Sequence, residues 1–438
     1  MKLLTVPLLA ALFSLNSASA IEVSLDGHWS GALSRGGSVQ LLTVHLSDDQ
    51  GALSGTYDIP ELGFFNLPIK ELVLVDNTIQ LKFLYGTFRG FVHEGVAEIA
   101  AVTENQDIRT MLHLKRSPPP ARCTSEPVSF ESGDVTLAGT LLRPISDGRH
   151  PGAVILHDSA PRHRNHRSYR VYGEMYCRAG IASLIYDKRG VGASTGDFES
   201  TSLEDLKDDA VAAYMALEEN TNVQRDRIGF IGFSQGGWIG PWAASQLPNT
   251  SFVVMVAGAS VPVWTQEMHR VEYEMRAGEF TEQEIDTALA HTRAIFDTAV
   301  DPAKWSALEK SVAIVHEARW AEYVYLPESQ EEAAEWLLEE YDPEPVLTKL
   351  DPPLLAIFGG NDTSVPPSEN VDQLKKYLEQ ADNADSEILV LTAMGHSLYR
   401  GSNSFGSGDF PAGLYLWDRL EPGLFEKIIP WTLEQLSK

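Results

Sequence analysis

The spacing of apolar and polar residues divides the chain into two parts with different expected architectures. Residues 21–117 consist of short runs in which apolar and polar residues alternate, and turn residues such as Asp48-Asp49 and Asp76-Asn77 separate them. Alternation with a period of two is typical of strands with one packed and one wet face, and strands joined by turns form an antiparallel meander. We predict strands over 39–46, 51–57, 69–75, 78–83, 96–102 and 110–114.

A stiff segment ends this first part. Ser117 is followed by Pro118-Pro119-Pro120, and a run of prolines cannot continue a strand ladder because it lacks backbone N–H groups. We therefore predict a small all-β N-terminal domain over 21–120, to which no role is assigned, and a second domain over 121–438.

The second part has the pattern of an α/β domain. Nearly continuous apolar runs predict strands that are covered on both faces, and a helix over 202–217 begins with Glu and Asp in its first turn. The alternation of strand and helix predicts a doubly wound, mostly parallel sheet. The predicted strands cover 153–156, 181–186, 227–233, 252–256, 354–358 and 388–391.

One interval breaks this alternation. Residues 264–346 contain long helical segments with few β-formers and many Asp and Glu residues, so we predict an inserted helical lid. Glu331-Glu332 and Glu339-Glu340 lie in the run EEAAEWLLEE. Such acids could bind a substrate ammonium group, but their spacing opposite Trp336 favours the solvated face of an amphipathic helix.

Charge and length restrict the partners. The 438 residues contain 34 Lys and Arg against 61 Asp and Glu, a formal net charge of −27. Binding to phosphates requires Lys and Arg that displace counterions, so we expect neither nucleic acid nor an anionic membrane surface as a partner. No apolar run reaches the roughly 20 residues of a spanning helix, and we expect no membrane span.

The first 20 residues, MKLLTVPLLAALFSLNSASA, have the form of a cleavable signal peptide. A lysine precedes an apolar run, and Ala18-Ser19-Ala20 has the small-residue form of a cleavage site. The mature chain is therefore expected to begin at Ile21 and to be secreted or periplasmic. Such a compartment permits a disulfide between Cys123 and Cys177, although a buried Cys177 and a free Cys123 would fit the sequence as well.

The strongest chemical signal is Gly232-Phe233-Ser234-Gln235-Gly236, which fits the pattern G-x-S-x-G. It follows an apolar strand and precedes a helical run, so Ser234 would lie at a sharp strand-to-helix turn. The glycines on either side avoid clashes that side chains would create there. We predict Ser234 as a nucleophile.

A serine hydroxyl needs a base that accepts its proton. Of the 12 histidines only His396 lies C-terminal to residue 316, and it follows the predicted strand 388–391. Asp362 follows the preceding strand at its C-terminal end, where ligands bind in open α/β sheets. The order Ser, Asp, His predicts His396 as the base and Asp362 as the acid that orients it.

Other polar segments carry no equally specific signal. His157, His163 and His166 lie close together but lack the spacing of a metal motif, so packing or surface positions are favoured. The glycines at 190, 192 and 196 are one residue too far apart for a dinucleotide fingerprint, and G-K-[ST] does not occur. We therefore expect no cofactor and no metal.

Together these segments resemble the α/β-hydrolase superfamily, in particular its secreted serine-aminopeptidase-like and dienelactone-hydrolase-like esterase branch. The matching motifs are His157 to Arg164, Asp187 to Ser194, Gly232 to Gly236, Gly359 to Pro366 and Gly395-His396. The resemblance implies Ser234, Asp362 and His396 as the catalytic residues, with the backbone N–H groups of Ser159 and Gln235 as the oxyanion hole. Where the family has two glycines, this chain has Asp158 and Ala160, and a carboxylate at 158 would oppose a negative transition state.

These patterns predict a secreted serine hydrolase that cleaves carboxylic esters through an acyl-enzyme intermediate. Aromatic residues of the predicted lid suit a small-molecule ester with an apolar acyl or alkyl group. Two alternatives stay open: an aminopeptidase-like serine peptidase on the same fold, and a non-catalytic binding protein on a hydrolase scaffold.

Overall fold

The computed structural model describes residues 24–438 except for 36–37, 60–63, 85, 94–96, 104–109, 120–122, 393 and 397–423. The predicted signal peptide lies outside these residues. The strands of the described part form two separate sheets. None of the helices described combines the length and apolar content that a bilayer crossing requires.

The N-terminal sheet has nine strands in the order β4-β3-β2-β1-β9-β8-β7-β6-β5, and neighbouring strands are antiparallel. The register pairs the first strand with the last, Gly31 opposite Leu114, which joins the two halves of the meander. The strands are β1 Gly27–Arg35, β2 Ser38–Asp49, β3 Ala52–Ile59, β4 Phe64–Pro68, β5 Glu71–Val75, β6 Thr78–Phe83, β7 Gly86–His93, β8 Glu98–Thr103 and β9 Thr110–Ser117.

Alternation predicted six of these nine strands. The three that it did not predict (β1, β4 and β7) contain Gly, Asn or Pro, which weaken the apolar–polar signal. Tertiary packing compensates for this: Trp29 of β1 and Phe88 of β7 are each about 1% exposed, in the same apolar core. Burial of large aromatic side chains therefore stabilises strands that local propensity leaves weak.

The larger sheet has eight strands in the order β10-β11-β13-β12-β14-β15-β16-β17. Pairing is antiparallel from β10 to β13 and parallel from β13 to β17, as the apolar runs predicted for the central strands. The edge hairpin β10–β11 was not predicted. The strands are β10 Cys123–Ser132, β11 Val135–Pro144, β12 His150–Leu156, β13 Ala182–Tyr186, β14 Val223–Phe233, β15 Thr250–Val256, β16 Leu354–Gly359 and β17 Glu387–Leu391.

Both faces of the larger sheet are covered. Val154 and Leu156 of β12 belong to one apolar cluster, whereas Ala153 and Ile155 belong to another, because successive side chains of a strand point to opposite faces. Five helices cover the two faces: α1 Arg167–Arg178, α2 Leu203–Glu219, α3 Gly236–Ala244, α9 Pro367–Gln380 and α10 Leu424–Ser437. Helices α2, α3 and α9 contribute to the first cluster, and α1 and α10 contribute to the second.

A helical segment separates β15 from β16, at the position predicted from the sequence. Its aromatic residues pack on one another: Trp264 stacks on Phe296, with ring centroids 4.9 Å apart, and Trp336 meets Phe296 edge-on at 5.0 Å. Its helices are α4 Val263–Ala277, α5 Glu282–Val300, α6 Trp305–Val315, α7 Gln330–Ala334 and α8 Glu344–Leu347, with 3₁₀ turns at Pro302–Lys304, Ala321–Tyr323 and Glu335–Leu337.

The expected amphipathic helix over 331–340 was wrong. Helix α7 ends at Ala334 and continues as the 3₁₀ turn Glu335–Leu337. A 3₁₀ turn has three residues per turn instead of 3.6, so the following side chains rotate away from the face that the α-helical spacing implies. Leu337 is consequently exposed and Glu339 points inward.

A disulfide joins Cys123 to Cys177, across a separation of 54 residues. The sequence allowed either a disulfide or two unbonded cysteines, and the structure has the disulfide. The next residue, Arg178, donates a hydrogen bond of 2.8 Å to the Asp58 carboxylate of β3 and lies over the Phe65 ring. The end of α1 is thus attached both to the first strand of the larger sheet and to the N-terminal sheet.

Removal of the bridge should destabilise the protein. Closure of a loop of this length lowers the entropy of the unfolded chain, which corresponds to about 4 kcal/mol in the chain-entropy description. We expect the free energy of unfolding of the double variant Cys123→Ala, Cys177→Ala to be lower than that of the wild type by a large part of this contribution, as measured by urea denaturation. Dithiothreitol should destabilise the wild type but leave the double variant unchanged, and equal stability of the two proteins under oxidising conditions would contradict the prediction.

Candidate active site

Ser234 lies at the turn between β14 and α3, at the carboxyl edge of the larger sheet. Its backbone has a φ of 51°, which is unusual for a residue with a β-carbon, and its N–H donates to the Val256 carbonyl at 2.9 Å. A β-carbon at Gly232 would lie 1.9 Å from the Gly236 carbonyl oxygen. The need for glycine at this position, expected from the motif, is thereby confirmed.

The structure brings together the three side chains that the sequence predicted as a set. The hydroxyl of Ser234 lies 3.0 Å from Nε2 of His396, and Nδ1 of that imidazole lies 2.8 Å from Oδ2 of Asp362. The other carboxylate oxygen of Asp362 accepts the N–H groups of Ser364 and Val365 at 2.9 and 2.8 Å. These two backbone bonds fix the carboxylate, which in turn fixes the imidazole.

Asp362 and His396 meet because two loops approach closely. A β-carbon at Gly359 would lie 2.3 Å from the Gly395 carbonyl oxygen, so only glycine permits this packing. The N–H of Asn361 donates to the Met394 carbonyl at 2.8 Å. Backbone contacts therefore set the distance between the acid and the base.

The loop after β12 carries the predicted oxyanion residue Ser159, which lines a cavity together with Gln235, the residue that follows Ser234. In the same loop, Asp158 occupies a position where the family has a glycine, and its carboxylate is not an isolated negative charge. The Asp158 carboxylate accepts two hydrogen bonds from Nε of Arg162, at 2.9 and 3.1 Å, and one from Nη2 at 3.0 Å. Burial would raise the pKa of Asp158, but the bonds and charge of Arg162 outweigh burial and lower the pKa below its ordinary value.

The cavity has a volume of about 310 Å³ and a mixed wall. Aromatic and aliphatic side chains form much of it, together with three carboxylates, one of which, Glu339, accepts a hydrogen bond from Gln235. The helical segment contributes five lining residues, Tyr325, Glu335, Trp336, Leu338 and Glu339. The lining includes Phe198, Glu199, Leu206, Tyr325, Glu335, Trp336, Leu338 and Glu339.

Sequence reasoning missed a polar network in the wall of this cavity. Lys188 is buried and donates to the Asp158 carbonyl at 2.5 Å and to Oε1 of Gln235 at 2.9 Å. Nε2 of Gln235 donates to the Glu339 carboxylate at 3.2 Å. The signal that could have found Lys188 is its place two residues after the end of β13, at the carboxyl edge of the sheet.

The three histidines near Ser159 make packing and backbone contacts with the residues around them. His157 is buried, its ring meets Tyr169 edge-on at 4.6 Å, and burial lowers its pKa to about 3, so it is neutral at pH 7. His166 precedes α1 and packs on the same tyrosine at 5.2 Å. The backbone of His163 accepts the His166 N–H at 2.8 Å. His157 and His166 thus serve in packing, which was the favoured interpretation.

The mostly parallel sheet and the serine at the turn after a central strand define a serine hydrolase of the α/β-hydrolase superfamily. Within it, the chain belongs to the family described as X-Pro dipeptidyl-peptidase (S15 family), whose profile matches residues 132–397, more than half of the chain.

Individual relatives are more distant. The chain is 24% identical over 284 residues to esterase EstD of Thermotoga maritima, which covers 63% of this chain and 62% of the relative. It is 27% identical over 150 residues to a Synechocystis sp. protein provisionally named carboxymethylenebutenolidase, and this match covers 31% of this chain and 60% of the relative. The chain thus spans about three fifths of these curated relatives. The structure of Est1E from Butyrivibrio proteoclasticus with bound ferulic acid matches with 15% identity and a TM-score of 0.45, covering 71% of this chain and 100% of the other.

The pairing of Asp158 with Arg162 can be tested by a double-mutant cycle. Arg162→Met leaves a buried carboxylate without its partner, so we expect a loss of about 2 kcal/mol in the free energy of unfolding and a lower rate of Ser234 labelling by a fluorophosphonate. Addition of Asp158→Asn should recover most of both losses, because it removes the unpaired charge. The pairing would be unimportant if Arg162→Met alone were neutral, or if the second substitution recovered nothing.

Proposed function

We propose that the protein hydrolyses carboxylic esters with Ser234 as nucleophile, His396 as base and Asp362 as the acid that orients the base. The observation that carries this proposal is the continuous chain of hydrogen bonds from the Ser234 hydroxyl through the imidazole to the Asp362 carboxylate. Each group has the partner that its role requires, and all three lie at the carboxyl edge of one sheet.

The reaction would proceed in two halves. Oγ of Ser234 attacks the ester carbonyl while Nε2 of His396 takes its proton, and the backbone N–H groups of Ser159 and Gln235 stabilise the oxyanion. The imidazolium returns the proton to the departing alcohol, which leaves an acyl-enzyme. Water then attacks the acyl group with His396 again as base, and the carboxylic acid is released. This scheme requires no cofactor.

The walls of the cavity favour an ester with an apolar acyl or alkyl group. Phe198, Leu206, Trp336 and Leu338 offer apolar surface within reach of the loop that carries Ser159. The name of the Thermotoga maritima relative, an esterase, supports the same substrate class.

A peptidase is the second candidate, and Glu339 is the observation that favours it. This carboxylate faces the cavity instead of solvent, where it could bind a substrate ammonium, and the family is named for a dipeptidyl-peptidase. However, Gln235 already donates to Glu339, and although burial raises the pKa of Glu339, the charge of Lys188 and the bond from Gln235 oppose that rise. The carboxylate thus has partners within the protein, which favours an ester substrate. The departures at Asp158 and Ala160 are what favour the binding-protein alternative, and the pairing of Asp158 with Arg162 weakens the first of these two arguments.

Three further features belong to this proposal. The helical segment 264–346 acts as a lid, which is supported by its contribution of Tyr325, Trp336 and Glu339 to the cavity wall. It covers a doubly wound catalytic domain over 121–438, and residues 21–120 form a separate domain. The chain is exported after cleavage of residues 1–20, and the disulfide supports an oxidising compartment.

Replacement of the nucleophile tests the mechanism. Ser234→Ala and His396→Ala should each lower kcat for a short nitrophenyl ester by at least about 10⁴-fold, because attack and proton transfer are both lost. Ser245→Ala, at the other end of α3, is the matched control and should retain wild-type kcat. The thermal unfolding of all three variants should stay close to that of the wild type. Wild-type turnover by Ser234→Ala would refute the assignment.

The choice between esters and peptides can be measured directly. We expect kcat/KM for short to medium acyl nitrophenyl esters to exceed that for aminoacyl anilides after correction for intrinsic reactivity, because the cavity offers apolar surface and a carboxylate that is already partnered. Glu339→Gln should change the ratio little. If the corrected ratio favours the anilide and Glu339→Gln abolishes that preference, the protein is a peptidase.

A further inference from the structure

Lys188 is a buried cation that the mechanism above does not use. Its side chain is about 3% exposed, and burial lowers its pKa to about 8, although the charges of Asp158 and Glu339 oppose this effect. Removal of an ammonium from water is unfavourable unless its donors find acceptors. Here the acceptors are two groups of the site itself, the Asp158 carbonyl and the Gln235 side chain.

The first of these bonds controls the direction of a proposed oxyanion donor. The carbonyl of Asp158 and the N–H of Ser159 belong to one peptide unit, which is planar, and in a trans peptide the two point in opposite directions. A bond from the ammonium at 2.5 Å holds the carbonyl toward Lys188 and therefore holds the N–H away from it. A cation at a carbonyl also polarises the peptide, which makes its N–H a stronger donor.

The second bond acts on the other proposed donor. Gln235 supplies its backbone N–H, and its side chain is fixed between the ammonium at 2.9 Å and the Glu339 carboxylate at 3.2 Å. Both the oxygen and the nitrogen of the Gln235 side-chain amide are therefore bonded, which fixes this residue at the start of α3. One ammonium thus contacts both the peptide unit that carries the Ser159 N–H and the side chain of Gln235, the two sources of the N–H groups that must converge on the same oxygen.

We propose that Lys188 is a positioning residue that assembles the oxyanion hole, by holding the peptide between Asp158 and Ser159 and the side chain of Gln235 at the same time. The inference rests on the proposed function, since it concerns the transition state of acyl transfer. It predicts that loss of the ammonium lowers kcat and leaves KM nearly unchanged, because a ground-state ester gains little from the oxyanion donors.

Chemical restoration of the ammonium tests this role. Both cysteines of the chain are bonded to each other, so Lys188→Cys introduces the single free thiol, at a position that lines the cavity. Alkylation with 2-bromoethylamine rebuilds a side chain of lysine length with its ammonium, whereas 1-bromopropane builds a neutral one of equal length. Lys207→Cys, at a buried lysine of α2 whose ammonium contacts Asp208, receives the same treatments as the control.

We expect Lys188→Cys to lower kcat for a nitrophenyl ester about 30-fold or more with KM changed less than about threefold. The aminoethylated protein should return to within about fivefold of the wild type, and the propylated protein should not. The rate of Ser234 labelling by a fluorophosphonate should follow the same order, since the phosphonate oxygen occupies the same donors. Thermal unfolding of the propylated protein should match that of the aminoethylated one, and no Lys207 variant should change kcat.

Several results would overturn the inference: wild-type kcat in Lys188→Cys, equal recovery with the propyl and aminoethyl groups, or a rise in KM at constant kcat. The labelling rate separates this inference from the ester proposal. If the wild type is labelled but hydrolyses no ester, the ester proposal fails while the labelling series still tests Lys188. If the wild type is not labelled at Ser234, both proposals are wrong.

Discussion

The site depends on close approach of backbone at the carboxyl edge of the larger sheet. Gly232 touches the first turn of α3, and Gly359 touches the loop that carries His396, at distances that a β-carbon would not permit. These contacts leave little freedom for the residues between them. Ser234 is held at a positive φ by its bond to Val256, and Asp362 is held by two backbone N–H groups. The hydrogen-bonded set of side chains is thus a result of backbone packing.

Two buried carboxylates near this edge are each paired with an arginine. Asp158 pairs with Arg162, and the buried Asp187 pairs with Arg164 and accepts the Ala193 N–H at 2.8 Å. Such pairs contribute little net stability, because desolvation offsets their attraction, but each is satisfied in one geometry only. They therefore restrict the loops after β12 and β13 to a single arrangement around the cavity.

The sequence allowed prediction of the parts whose signals are local. Ser234 lies within a short motif, and the order of Asp362 and His396 follows the order of the strands. Lys188 and Glu339 were not predicted, because their roles depend on contacts across the fold: Lys188 meets Asp158 and Gln235 over 30 and 47 residues, respectively. Glu339 was assigned to solvent by helical spacing, which fails where α7 passes into a 3₁₀ turn. Strands β1 and β7 have weak alternation and are held by Trp29 and Phe88 in a core that no single strand reveals.

The two sheets differ in how much of the chain each one needs before all of its strands are present. Every strand of the N-terminal sheet pairs within residues 27–117, so this sheet can complete its ladder from the first quarter of the chain alone. In the larger sheet, β15 pairs with β16 across about a hundred residues, because the helical segment intervenes. Contacts between distant residues form slowly, since long loops must close first. As the chain emerges from synthesis, the N-terminal sheet is therefore free to fold while Asp362 and His396 have not yet appeared.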